Sequence, residues 1–285
     1  MHVTSRDGTR IMYRRSGQGP AVVLVHGGVQ AAQNFGRLAA LLAHRFTVFV
    51  PDRRGRGQSG PHGDLYCMAR ECEDLDALLT ESKASSVFGL SSGALIVLAA
   101  ARALPAIRRA ALYEPPLQLE ESIQEWVPRL DAELARDDVG AALVTIMKGT
   151  GDRGLLDSLP RFLLVPFFRF ALAAQARQLR RQAQAQGQPS EELSIASLVR
   201  TMHYDAMLVR ELAGQLETFG ELSAEVLLLG GDRSRAYLTT ALTALAKVLP
   251  RARRVELTGV GHLAADNGGR PEVVARELEA FFGAG

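Results

Sequence analysis

The chain has 285 residues, 47% of them hydrophobic and 22% charged, the balance of an ordinary soluble globule. That length is long for one core but suits one α/β domain with an insertion. A net charge of +2 is too small to imply a nucleic-acid partner, and the groups Arg177-Arg180-Arg181 and Arg251-Arg253-Arg254, without interleaved aromatics, read as solvated faces. No run of about 18 apolar residues is present, so no membrane span is expected. The start, Met1 to Asp7, lacks the apolar stretch of a signal peptide. Cys67 and Cys72 are spaced so that a helix would not face them together, which suggests no disulfide framework and a reducing, cytoplasmic setting.

In chain order, Val3-Thr4 and Ile11 to Arg14 predict a β-hairpin around Asp7-Gly8. Ala21 to Val25 is an apolar run with three valines, the pattern of a buried parallel strand, and it ends in His26-Gly27-Gly28. A helix is expected from Phe35 to Ala43 and a strand from Phe46 to Val50, followed by a loop from Pro51 to Gly60. Tyr66 to Thr80 has helical spacing. A strand then leads through Val87-Phe88 to Ser91, a helix runs from Ser92 to about Leu104, and Ala110 to Tyr113 is a strand. This alternation argues for a parallel sheet with helices on both faces.

From Leu117 to about Leu222 no strand is evident; Gln124 to Arg136, Phe162 to Gln184 and Glu191 to Leu216 read as helices. Strands resume at Glu225 to Leu229 and Arg253 to Leu257, with helices at Tyr237 to Leu249 and Pro271 to Phe282. The expected fold is therefore α/β: a doubly wound, mostly parallel eight-stranded sheet with an all-helical cap insertion. The core is expected over residues 1–116 and 223–285, and the cap over residues 117–222.

Chemistry concentrates at Gly89-Leu90-Ser91-Ser92-Gly93, a G-x-S-x-G pattern between a strand and a helix. Small residues belong there because side chains would collide with the neighbouring strand and helix. A serine hydroxyl needs a base within hydrogen-bond reach, and the base needs a group that fixes its tautomer. His262, in the loop Gly259-Val260-Gly261-His262 after a strand, is the candidate base. Asp232, after Gly230-Gly231, is the preferred acid because its strand directly precedes the histidine's; Glu114 competes with it, and Asp266 ranks third.

The order Ser91, Asp232, His262, together with His26-Gly27-Gly28, the Asp52-to-Ser59 loop of D-x-R-G-x-G-x-S form and Tyr113-Glu114-Pro115-Pro116, resembles the α/β-hydrolase superfamily. The resemblance implies a catalytic triad of those three residues. It also implies an oxyanion hole from the backbone N–H groups of Gly28 and Ser92. Neither an H-E-x-x-H motif nor paired cysteine spacing occurs, so no metal is expected, and no cofactor. A serine at that position argues against the chemistries of the haloalkane dehalogenases and many epoxide hydrolases of the superfamily, which use an aspartate nucleophile.

In the cap, Trp126, Phe168 and Met207 are the candidate pocket residues. His203, Tyr204 and Asp205 either add polar contacts or bond within the cap. The favoured activity is hydrolysis of a small or medium-sized, largely apolar ester, thioester or lactone through an acyl-enzyme, by a monomer or homodimer. The alternatives are C–C bond hydrolysis or a non-hydrolytic biosynthetic step on the same residues, and a ligand-binding or receptor protein on a hydrolase scaffold.

Overall fold

The inner strands, at Ala21–Val25, Thr47–Pro51, Ser86–Leu90, Arg109–Tyr113 and Glu225–Gly231, form where short apolar runs are buried on both faces. A computed structural model describes residues 1–119, 125–151, 159–186 and 192–284. The hairpin β1 (His2–Thr4) and β2 (Arg10–Ser16) leads to β3 (Ala21–Val25), a 3₁₀ turn (Ala32–Phe35) and α1 (Gly36–Leu42). Next come β4 (Thr47–Pro51), α2 (Met68–Ser82), β5 (Ser86–Leu90), α3 (Ser92–Ala103) and β6 (Arg109–Tyr113). The eight strands make one sheet in the order β1-β2-β4-β3-β5-β6-β7-β8, with β7 at Glu225–Gly231 and β8 at Ala252–Leu257. Only the pairings made by β2 are antiparallel; the other strands run parallel. The expected sheet class and strand count agree with this architecture.

The register explains where chemistry can gather. Leu90 pairs with Tyr113, Tyr113 with Leu229 and Gly231 with Leu257. The carboxyl ends of β5, β6, β7 and β8 therefore lie along one edge, where open parallel sheets place their sites. Two apolar layers hold the sheet. One packs α2, α3 and α9 (Ala236–Val248) through Leu75, Leu95 and Leu242. The other packs α1 and α10 (Pro271–Phe282) through Leu38, Phe35 and Leu278.

Between β6 and β7 the described residues are helical: α4 (Val127–Ala135), α5 (Val139–Thr150), α6 (Arg161–Gln186), α7 (Ile195–Val199) and α8 (Met202–Glu211). They have a separate apolar core built on Leu130, Leu143, Ile146, Leu172 and Val199. Helix α5 is absent from the sequence expectation, although its signals are present. The Asp138 side chain accepts the Ala141 N–H at 3.2 Å, and Gly151 ends the helix at φ 69°. The single helix expected from Glu191 to Leu216 is instead α7, α8 and a 3₁₀ turn at Leu216–Phe219; Glu191 and Gln124 lie outside the described residues. Phe162, Phe167 and Phe170 of α6 face outward, so these aromatics serve neither cap core nor pocket. Among the described residues no helix is long and apolar enough to cross a membrane.

Phe88 on β5 is fully buried and its ring centroid lies 5.9 Å from that of Phe35. Truncating it removes the ring contact between β5 and the 3₁₀ turn before α1. Phe88→Ala should lower unfolding free energy by about 3–5 kcal/mol, read as a lower midpoint in urea denaturation.

Candidate active site

Ser91 stands at the sharp turn from β5 into α3, with φ 56° and ψ −124°. A positive φ strains any residue with a side chain, at a cost of about 1–3 kcal/mol. The neighbours dictate it. A Cβ on Gly89 would lie 2.4 Å from the Gly93 carbonyl oxygen, and one on Gly93 would lie 2.4 Å from that of Val25. The backbone can close the turn only without those side chains. The Ser91 N–H donates to the Tyr113 carbonyl at 2.9 Å, which ties the elbow to β6.

His262 follows β8 in the expected loop. The Tyr113 hydroxyl donates to the Gly261 carbonyl at 2.8 Å and fixes that loop against the sheet. The carboxylate beside the imidazole is Glu114, not the preferred Asp232. His262 Nδ1 lies 2.7 Å from Glu114 Oε2, and the Glu114 side chain is almost wholly buried. Glu114 Oε1 accepts the Gly231 N–H at 2.7 Å, which leaves Oε2 aimed at the ring. Asp232 is exposed, and its Oδ1 accepts the Gly259 N–H at 2.8 Å. It therefore braces the loop that carries His262. Asp266 accepts from Gln30 and Asn34.

Ser91, Ser92, Gly28 and His262 line one cavity of about 620 Å³. Its roof includes Trp126, Leu143, Ile146, Met147 and Met202. Of the three expected pocket residues, Trp126 lines it. Phe168 packs into the apolar core of the cap, and Met207 packs against the core layer of α2 and α3. Polar atoms in the wall come from Gln30, Gln118, Thr150 and Tyr237.

Beneath the elbow lies a buried ionic cluster that the sequence did not reveal. Arg53 donates to Glu71 from Nη2 at 2.8 Å and to Asp205 Oδ1 from Nη1 at 2.7 Å. Arg56 Nη2 donates to Asp205 Oδ2 at 2.6 Å, and the Ser92 hydroxyl donates to Asp205 Oδ1 at 2.7 Å. All four charged side chains are at most 2% exposed. Burial alone would raise the Asp205 pKa, but Arg56 and Arg53 outweigh it and hold the carboxyl at about 2. Burial, reinforced by the same two arginines, drives the His26 pKa well down, so that ring is neutral. His26 accepts the Arg53 N–H at 3.3 Å. His203 bonds within the cap, to Asp131 at 2.7 Å, whereas Asp205 reaches the core.

A model of the alpha/beta hydrolase family matches residues 22–277. The chain belongs to that family. It is 28% identical over 270 residues to the pimeloyl-(acyl-carrier protein) methyl ester esterase of Stenotrophomonas maltophilia, covering 94% of this chain and 95% of that one. An uncharacterized hydrolase of Bacillus subtilis, YraK, is 39% identical over 95 residues, a stretch covering 32% of this chain and 35% of that protein. Among solved structures, an alpha/beta hydrolase from Sphaerobacter thermophilus superposes with a TM-score of 0.76 at 32% identity, over 99% of this chain and all of that one. The enol-lactonase of Burkholderia xenovorans shares the fold, with a TM-score of 0.71 at 20% identity over 99% of this chain and 100% of that one.

The Asp205 carboxyl titrates lower in the folded chain than its ordinary 3.8. Its stabilisation is therefore complete above about pH 4 and is lost as pH falls through about 2. Asp205→Asn should melt at a lower temperature than the wild type at pH 6, and the gap between them should narrow on acidification to about pH 2.5.

Proposed function

We propose that the chain is a serine hydrolase that cleaves a small or medium-sized, largely apolar carboxylic ester, thioester or lactone. Ser91 is the nucleophile, His262 the base and Glu114 the acid. One observation carries this reading. The strained serine and a histidine buttressed by a buried carboxylate, with His262 Nδ1 2.7 Å from Glu114, open on the same cavity.

Each role follows from the chemistry of its group. With Nδ1–H donated to Glu114, the imidazole presents Nε2 as the basic atom. It takes the Ser91 proton as Oγ attacks the carbonyl, and the adjacent carboxylate stabilises the imidazolium that forms. The tetrahedral oxyanion is received by the N–H of Ser92, a first-turn donor of α3 with no intrahelical acceptor, and by the N–H of Gly28. The imidazolium then gives its proton to the leaving oxygen or sulfur. Water, activated by the same imidazole, releases the acyl group. The scheme needs no metal and no cofactor.

The substrate class rests on the cavity. About 620 Å³ is ample for a drug-sized ligand, and the walls from Trp126, Leu143, Ile146 and Met147 favour an apolar acyl chain or ring. The methyl ester esterase relative supports a carboxylic ester as the bond cleaved.

A fluorophosphonate should label Ser91, as located by mass spectrometry, and Ser91→Ala should abolish both labelling and turnover of an activated ester without changing the melting temperature. Labelling elsewhere, or undiminished turnover by the variant, would falsify the reading. The acid assignment has a separate test. Glu114→Gln should lower kcat by on the order of 10³-fold or more, while Asp232→Asn should retain turnover within about fivefold. The reverse ranking would restore Asp232 as the acid.

A further inference from the structure

The geometry points to Asp205, on cap helix α8, as a positioning residue for the oxyanion hole. This role rests on the serine-hydrolase reading above. It assigns part of the machinery of the chemical step to the cap, not to the core alone.

Asp205 touches the surroundings of both proposed oxyanion donors. Its Oδ1 accepts the Ser92 hydroxyl at 2.7 Å, so the side chain of the residue that supplies one donor is held from the cap. At the other donor, a Cβ on Gly28 would lie 3.4 Å from Asp205 Oδ2 and 3.0 Å from Met202 Sδ. The backbone of Gly28 therefore rests against the first turn of α8. Asp205 also lines the cavity, with Ala206 and Val209 of the same helix. One buried carboxylate thus bonds the side chain beside one donor and packs against the glycine of the other, two segments whose N–H groups must stay about 3 Å from a developing charge.

A negative group so near an oxyanion would oppose catalysis unless it were neutralised. Arg53 and Arg56 do this, at 2.7 and 2.6 Å on the two carboxylate oxygens. Glu71 balances the second positive charge through Arg53. The cluster is formally neutral, so Asp205 provides placement without projecting a net negative field into the hole.

The test uses Asp205→Ala and Ser92→Ala in the full-length protein. Fluorophosphonate titration counts reactive sites, so turnover can be expressed per competent site. An ester substrate gives kcat and KM, and a trifluoromethyl ketone, which forms a tetrahedral serine adduct, gives an inhibition constant. Per-site kcat should fall by about tenfold to a hundredfold in Asp205→Ala and by about threefold to tenfold in Ser92→Ala. KM should stay within about twofold, and inhibition by the ketone should weaken by the same factor as kcat. Ser92→Ala leaves the arginines paired with Asp205, so it decides the question if Asp205→Ala does not fold. Wild-type kcat per site and wild-type ketone affinity in Ser92→Ala, and in Asp205→Ala where it folds, would overturn the positioning role. A wild type whose Ser91 does not react with the fluorophosphonate would instead overturn the serine-hydrolase reading.

Discussion

The close approach of backbone at the end of β5 is the constraint from which the site follows. Gly89 and Gly93 let strand, turn and helix meet at distances that a methyl group would block. The cost is concentrated on Ser91, held at φ 56°. The fold absorbs it because the elbow is fixed on several sides. Ser91 N–H bonds to Tyr113, the Tyr113 hydroxyl bonds to Gly261, and Glu114, next in the chain, faces His262. Two adjacent residues at the end of β6 therefore connect the serine turn with the histidine loop. The turn geometry and the spacing of the polar groups have one origin, the parallel register of β5, β6, β7 and β8.

The second element is electrostatic. Four fully buried charges would be prohibitive if unpaired, since each carries a desolvation penalty of several kcal/mol. Here two guanidiniums meet two carboxylates, and the hydroxyls of Ser92 and Tyr66 donate to Asp205 and Glu71. Such clusters contribute little net stability compared with apolar packing of the same volume. Their use here is geometric. Arg53 and Arg56 belong to the loop after β4, Glu71 to α2 and Asp205 to the cap, so the cluster fixes three parts of the chain against the elbow. The His62 ring stacks on Tyr204 at 3.5 Å and extends the same contact between loop and cap outward.

Much of this was legible in the sequence. The strands Ala21–Val25 and Ser86–Leu90 announce themselves as short apolar runs, and the alternation with helices leads to the parallel sheet. The G-x-S-x-G spacing encodes a steric demand, so Ser91 could be singled out before any coordinates. The cap was less legible because its helices face three ways at once: inward to one another, down to the core and out to solvent. Hydrophobicity alone cannot sort these, which is why Phe168 and Met207 turned out to pack elsewhere, while Phe162, Phe167 and Phe170 are exposed. In the sequence Asp205 stands out only as a polar residue of the cap. Its partners lie about 150 positions earlier in the chain, and no local pattern links them.

The placement of Asp232 and Glu114 shows how backbone geometry sets which carboxylate faces the imidazole, which sequence order cannot. Both residues end strands on the same edge, and β6 and β7 are neighbours. A glutamate from β6 reaches the imidazole only if the end of β7 leaves room for its longer side chain. Gly230 leaves that room, while a Cβ on Gly231 would instead meet the Val260 carbonyl oxygen at 2.2 Å. A Cβ on Gly230 would come 3.2 Å from Glu114 Oε1, and the Gly231 N–H donates to that same oxygen. The glycine pair that reads in sequence as a turn before an acidic residue is in the structure a seat for a carboxylate from the next strand. Asp232 is displaced to the surface, where it braces Gly259. The double glycine that precedes Asp232 in the chain therefore serves the carboxylate of Glu114, which arrives from the neighbouring strand.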